Sequence, residues 1–370
     1  MTNKRKLCLY FNDLALYRRA IYKKIDDEYD CEWYIEDVDT GVKEFEKQEL
    51  KKVAMLPIRK IGPFYMTKGL KKILNNHSDI YFMLGATRNL SLVLFCLKKK
   101  LFFPQKRIYF WTHGYYGKEG WLEKFFLKRP MLKLADGIFT YGDYARKLMI
   151  EDGFDENMIF PIHNSLDYDT HLLLREAMKP SNIYSGHFNN NNPVIIFIGR
   201  LTKIKKLDML IKAVSILNKK GEEYNIVMVG DGSERAMLEK KVLEEGLRDQ
   251  VWFYGACYDE KENAELVFNA DLCVAPGNIG LTAMHVLMFG CPAVTHDNFS
   301  MQMPEFEAII PNSTGDFYKY GSVESLADTI SKWFNNHNKN RNDVRNACYK
   351  EIDKNWNPYY QMEIIRRNLK

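Results

Sequence analysis

Residues 194–206 read Val194-Ile195-Ile196-Phe197-Ile198-Gly199-Arg200-Leu201-Thr202-Lys203-Ile204-Lys205-Lys206, and the helical pattern Leu207–Lys219 follows directly. Five apolar residues in a row, without alternation, read as a strand buried on both faces. Beyond the loop, Leu207, Leu210, Ile211, Val214 and Leu217 recur at helical spacing. Strand, short loop and amphipathic helix together make the repeating unit of a parallel α/β sheet. In such sheets ligands bind outside the carboxyl ends of the strands. The loop Gly199 to Lys206 is therefore a candidate binding element. Gly199 lets a ligand approach the backbone. Arg200 and Lys205 offer two cations to one diphosphate, the arginine through its planar fork.

The same alternation extends both ways. Downstream, strands are expected at 224–229, 251–254, 272–275 and 291–295, with helices at 234–245 and 281–289. Upstream, strands are expected at 6–11, 32–35, 80–84, 108–111, 137–140 and 158–162, with helices at 13–25 and 143–151. A chain of 370 residues exceeds one ordinary core. The polar segment 185–193, ending in four asparagines before Pro193, is the expected linker. It would divide residues 1–184 from residues 194–352, with 353–370 closing as a helix packed back on the N-terminal domain.

Net charge is +5, but its distribution is uneven. Residues 51–150 hold 20 Lys/Arg and 5 Asp/Glu, a local net of +15, which leaves −10 for the other 270 residues. An excess of that size calls for an anionic partner. No nucleic-acid motif accompanies it. The seven cysteines include no Cys-x-x-Cys pair, which fits a reducing cytosol. The eight histidines lack metal-ligand spacing, so no metal is expected. The apolar run 90–97 stops at Lys98-Lys99-Lys100, well short of the about 20 residues needed to span a bilayer.

Three further stretches carry candidate chemistry. Pro276-Gly277-Asn278-Ile279-Gly280-Leu281-Thr282 is a glycine loop entering a helix, where free N–H groups can face phosphate. Thr282 also suits a first-turn cap. His113 sits between a strand end and Gly114, in the segment Trp111 to Glu119. His285 falls one turn into the helix after the glycine loop, and Glu305 and Glu307 follow Pro304.

These pieces, in order, resemble the retaining GT-B glycosyltransferases of family 4. The resemblance covers residues 105–320. It rests on Ala135-Asp136-Gly137-Ile138-Phe139-Thr140, Asn164-Ser165-Leu166-Asp167, and Gly199-Arg200-Leu201 with Lys205. Val229-Gly230-Asp231-Gly232, Val251-x-Phe253-x-Gly255, Pro304-Glu305 and Thr314-Gly315 complete it. The resemblance implies two Rossmann-like domains facing an interdomain cleft, with a nucleotide diphosphate-sugar donor on the C-terminal domain and the acceptor on the N-terminal one. It implies that Arg200 and Lys205 neutralise the donor diphosphate. Gly199, Asp231, Asn278, Ile279, Gly280, Leu281 and Thr282 would surround that donor, and Tyr254 and Gly255 would lie near its base. His113 would stand beside the sugar ring, and no metal is needed. The family's paired glutamates, eight positions apart, fall here on Gly277 and His285. His285 can still bind a ribose hydroxyl, and Glu305 or Glu307 is the candidate replacement carboxylate. The missing pair favours the alternative of a non-catalytic nucleotide-sugar or glycan-binding partner of an active transferase.

The basic excess falls in the proposed acceptor domain. Lys98, Lys99, Lys100, Lys106 and Arg107 are interleaved with Leu101, Phe102 and Phe103; Lys124, Lys128 and Arg129 are interleaved with Trp121, Phe125 and Phe126. Such segments can lie in a membrane interface. The expectation is a cytoplasmic protein, peripheral on the inner face of the cell membrane, acting on a lipid-linked glycan in bacterial-type surface polysaccharide assembly.

Overall fold

The computed structural model describes residues 4–74, 78–337 and 341–369. The chain forms two α/β units, Met1–Asp167 with Asn357–Lys370, and Tyr168–Trp356.

The first unit holds β1 (Lys6–Phe11), β2 (Asp30–Asp37), β3 (Val53–Ile61), β4 (Phe64–Thr67), β5 (Ile80–Leu84), β6 (Arg107–Thr112), β7 (Gly137–Thr140) and β8 (Ile159–Pro161). They make one eight-stranded sheet in the order β4-β3-β2-β1-β5-β6-β7-β8. Every neighbouring pair is parallel except the β3–β4 hairpin. The central strands are buried on both faces, which is why they read as unbroken apolar runs. β3 escapes that reading because Pro57 interrupts it and Arg59 and Lys60 polarise its end. Proline is tolerated near a sheet edge, where a missing N–H costs little. The helix Pro358–Asn368 belongs to this unit. Met362 and Ile365 join the core of Ile21 and Ile25, and the Gln361 amide donates to the carbonyl of His163 at 3.0 Å.

The second unit holds β9 (Val194–Ile198), β10 (Asn225–Val229), β11 (Val251–Gly255), β12 (Leu272–Val274), β13 (Ala293–His296) and β14 (Gly315–Tyr318). Their order is β11-β10-β9-β12-β13-β14, all parallel. The unit starts with the helix Tyr168–Ala177, anchored where Arg175 grips the Asp353 carboxylate at 2.9 and 3.0 Å. The segment 185–193 lies inside this unit rather than between units. Its first residues finish the helix Ile183–Phe188, the Tyr184 hydroxyl donates to the carbonyl of Leu266 at 2.6 Å, and Asn190 accepts from the Asn225 amide at 2.8 Å.

Candidate functional site

In the second unit, three loops meet at the carboxyl ends of β9, β10 and β12. Backbone bonds knit the first two: Gly199 N–H to Val229 at 2.9 Å, Leu201 N–H to Asp231 at 2.9 Å, and Glu234 N–H to Leu201 at 3.0 Å. Such contact requires glycine. A Cβ on Gly230 would stand 1.9 Å from the carbonyl oxygen of Gly199, and one on Gly277 would stand 1.9 Å from that of Ile204. Gly277 also donates its N–H to Lys205 at 3.0 Å. The glycine that replaces the expected first glutamate is therefore fixed by close packing of two backbones. No side chain fits there.

Arg200 is exposed on this rim. Lys205 donates from Nζ to the carbonyl of Asn278 at 2.6 Å and so holds the third loop. Burial lowers the Lys205 pKa, and the nearby Arg200 charge lowers it further; Glu305 acts in the opposite direction. Arg200, Lys205 and the buried carboxylate of Glu305 thus share one electrostatic neighbourhood. Two polar groups of the glycine loop are already engaged. The Ile279 N–H donates to Gln302 Oε1 at 3.0 Å, and the Thr282 hydroxyl donates to the carbonyl of Ile198 at 3.1 Å. Their expected donor contacts give way to loop-holding bonds. Gly280 bends the loop at φ 56° before Leu281 enters the helix Thr282–Met288. Asp231 is exposed and accepts from the Gly232 N–H at 2.8 Å, closing its own turn. Gly255, at φ 96°, accepts from the Gly230 N–H at 2.7 Å. Tyr254 beside it gives its hydroxyl to Glu262 and packs on Trp252 at 4.9 Å.

His285 is placed with a carboxylate after all. Its Nε2 lies 2.6 Å from Glu260 Oε1, and His171 Nε2 lies 3.2 Å from the same oxygen. Burial pushes the Glu260 carboxyl up, but the two imidazoles outweigh it and hold the group well below the usual carboxylate range. An acidic group reaches this position from the helix Glu260–Asn269, 25 residues upstream.

In the first unit, His113 follows β6, with its ring against Tyr141 at 4.6 Å and Tyr116 at 5.2 Å. Burial, reinforced by the Arg18 and Lys128 charges, pushes its pKa down to about 3, so the ring is neutral at pH 7. A neutral imidazole can both donate and accept a hydrogen bond.

The eight cations expected on a docking surface divide. Lys98, Lys100 and Arg107 are exposed. Lys99 and Lys106 are buried, which corrects the expectation for both. Lys99 pairs with Asp136 at 2.6 Å; Lys106 donates to the carbonyl of Ser78 at 2.8 Å and to the Tyr81 hydroxyl at 2.9 Å. Lys124 and Arg129 pair with Asp152 at 3.0 and 3.3 Å, and Lys128 with Glu119 at 2.7 Å. These internal pairs offset part of the local excess of charge.

Residues 179–351 match the family model described as glycosyl transferases group 1. Among curated proteins, a 2-deoxystreptamine glucosyltransferase of Streptomyces kanamyceticus is 26% identical over 174 residues, 46% of this chain and 45% of that one. The first curated relatives are matched over only 28 to 58% of their own length. The fold extends further. The crystal structure of Anabaena HepE in complex with UDP superposes with a TM-score of 0.74 at 16% identity, covering 98% of this chain and 99% of that one. The lipopolysaccharide outer core galactosyltransferase WaaB follows at 0.71 and 15% identity, covering 98% and 100%.

Proposed function

We propose, from the match of residues 179–351 to the group 1 glycosyl transferase model and from the GT-B fold, that the protein moves a sugar from a nucleotide diphosphate-sugar to a glycan. The observation that carries this reading is the juxtaposition of Arg200 and Lys205 at the carboxyl end of β9, in the half that matches the family. As the bond to the sugar breaks, negative charge grows on the departing diphosphate. Two cations beside it stabilise that charge more than they stabilise the ground state, which is electrostatic catalysis. The same two cations let the reaction run without a metal. Retention of anomeric configuration follows from the family resemblance. A fold neighbour crystallised with UDP makes uridine nucleotides the first donors to test.

Purified protein should release nucleoside diphosphate from one member of a panel of UDP-, GDP- and ADP-sugars, and EDTA should leave that rate unchanged. Diphosphate binding without turnover on any donor overturns the enzyme reading. It would support the second one, a non-catalytic nucleotide-sugar-binding partner of an active transferase. Gly277 and His285 at the two acidic positions are the observation in its favour.

The acceptor belongs on the first unit, on a lipid-linked glycan in surface polysaccharide assembly at the inner face of a membrane. Leu101, Phe102, Trp121, Leu122 and Phe126 are each between 62 and 73% exposed there. Trp121, Phe125 and Phe126 form a cluster with ring centroids 5.6 to 6.0 Å apart. Exposed aromatics beside Lys98, Lys100 and Arg107 suit an anionic headgroup layer. Among the described residues no helix is long and apolar enough to cross a membrane. Liposomes rich in phosphatidylglycerol should float the protein at low salt, and Lys98→Glu with Lys100→Glu should abolish flotation. Equal recovery on neutral vesicles, or no effect of the two substitutions, refutes the docking surface.

A further inference from the structure

The first unit contains a buried cation with no carboxylate counterpart among the described residues. Arg18 is 6% exposed, in the short turn Leu16–Arg18 after β1. Its guanidinium donates to the hydroxyls of Tyr22 at 3.4 Å and Tyr141. The rings of Tyr17, Tyr141 and Trp111 surround it at 5.2, 5.2 and 5.7 Å. Its polar neighbours are neutral phenols, and it forms no ion pair among the described residues. Asp13 is felt by Tyr22 and Tyr141, yet its carboxylate is held by the Asn12 amide at 2.9 Å. Buried charges are ordinarily paired, because an uncompensated one costs several kcal/mol. Aromatic faces recover only part of that, about 2 kcal/mol for a desolvated contact.

Three polar atoms in this cluster are also buried without a hydrogen-bond partner among the described residues: Arg18 Nε, Trp111 Nε1 and His113 Nδ1. Two of them carry a proton in every state of their residue and so act only as donors. All three sit at the carboxyl end of the sheet, where β1, β6 and β7 end, the edge at which open α/β sheets take ligands. Arg18 has no part in the proposed donor chemistry of Arg200 and Lys205.

We propose that Arg18 and Trp111 form a subsite in the first unit for one oxyanion of the acceptor, a phosphoryl or a carboxylate group, beside His113. The inference rests on the reading that the acceptor binds this unit. It adds a chemical class: the acceptor is charged near the hydroxyl that is glycosylated. Arginine's planar fork matches both oxyanions, and the indole N–H supplies a further donor. A diphosphate-linked lipid and an acidic sugar each carry such a group.

Selective labelling of arginine Nε gives a direct readout. The protein is first saturated with UDP, so that the cations at Arg200 and Lys205 are occupied. Pyrophosphate, glucuronate and uncharged glucose are then titrated in turn. The Nε–H signal absent from Arg18→Met should shift with an anion and stay still with glucose. Response to pyrophosphate alone identifies a phosphoryl acceptor; response to glucuronate identifies an acidic sugar. Arg18→Lys keeps the charge but loses the fork, and should weaken the responding anion at least tenfold. UDP affinity should be the same in all three proteins. An Arg18 signal that neither anion moves, in wild-type protein that binds UDP, overturns the subsite. Wild-type protein that fails to bind UDP overturns the donor reading instead, and a folded Arg18→Lys variant keeps the two apart if Arg18→Met does not fold.

Discussion

Arg200→Ala should lower turnover of the preferred nucleotide-sugar by about 10²–10³-fold, the usual cost of removing one preorganised group that stabilises transition-state charge. Arg200 is exposed and makes no ion pair among the described residues, so the native fold does not depend on it. Its removal should change stability by no more than about 0.5 kcal/mol, as for an ordinary surface substitution. The loss therefore appears in kcat with little change in the melting curve. Lys205→Ala behaves differently. That side chain also holds the carbonyl of Asn278, so its removal frees the glycine loop and raises KM together with the fall in kcat. Steady-state kinetics on the two variants, alongside thermal melts, check this split. Unchanged kcat/KM in Arg200→Ala would remove the diphosphate assignment.

The same pair separates the two functional readings. A transferase uses Arg200 most in the transition state, so nucleoside diphosphate affinity in Arg200→Ala falls less than turnover does. A binding module has no transition state, and affinity is then the sole quantity to change.

Most of the fold could be read from the chain because burial on both sheet faces leaves a local signature. Val194–Ile198 and Ile80–Leu84 are unbroken runs of apolar and aromatic residues, and the strands begin and end where those runs do. Strands that are not doubly buried lose that signature, as Pro57 and the charges of β3 show. β14 is short, and Asp316 in its middle hides it among loops. The cations of the proposed donor site stand out in the sequence because their loop follows a clear strand. Their partners do not. Glu260 meets His285 across 25 residues, through the packing of two helices. Arg18 stands beside Arg19 in sequence, yet one guanidinium enters an aromatic core and the other pairs with Glu49 at 2.6 Å. Local pattern carries no information about which neighbour a side chain meets after the sheet assembles. The same holds for Lys98, Lys99 and Lys100, where helix geometry turns only the middle one inward to Asp136.

Gly277 yields the sharper test of that lesson. Comparison of motifs suggests restoring the absent acid, and Gly277→Glu would be expected to improve the site. The geometry predicts the reverse. A Cβ at this position meets Ile204 oxygen at 1.9 Å, Lys205 Cα at 2.8 Å and Ile204 carbon at 2.9 Å, all of them backbone. A flexible side chain could move aside, but these atoms cannot move without displacing Lys205 itself. Even Gly277→Ala should cost on the order of 3 kcal/mol, the upper range for overpacking. Melting of the second unit should then fall by roughly 6–12 °C, at about 2–4 °C per kcal/mol for a domain of that size. Nucleoside diphosphate affinity should fall at least tenfold in both variants, because the loop that carries Lys205 is forced off β9. Gly186→Ala is the control: it lies in the helix Ile183–Phe188 with nothing within 4 Å of the added carbon. Alanine there should be neutral or stabilising by about 0.5–1 kcal/mol. Calorimetry and diphosphate titration on the three variants decide the matter. Wild-type affinity in Gly277→Glu would mean that the two loops separate freely, and that the missing carboxylate is a loss of chemistry rather than a requirement of packing.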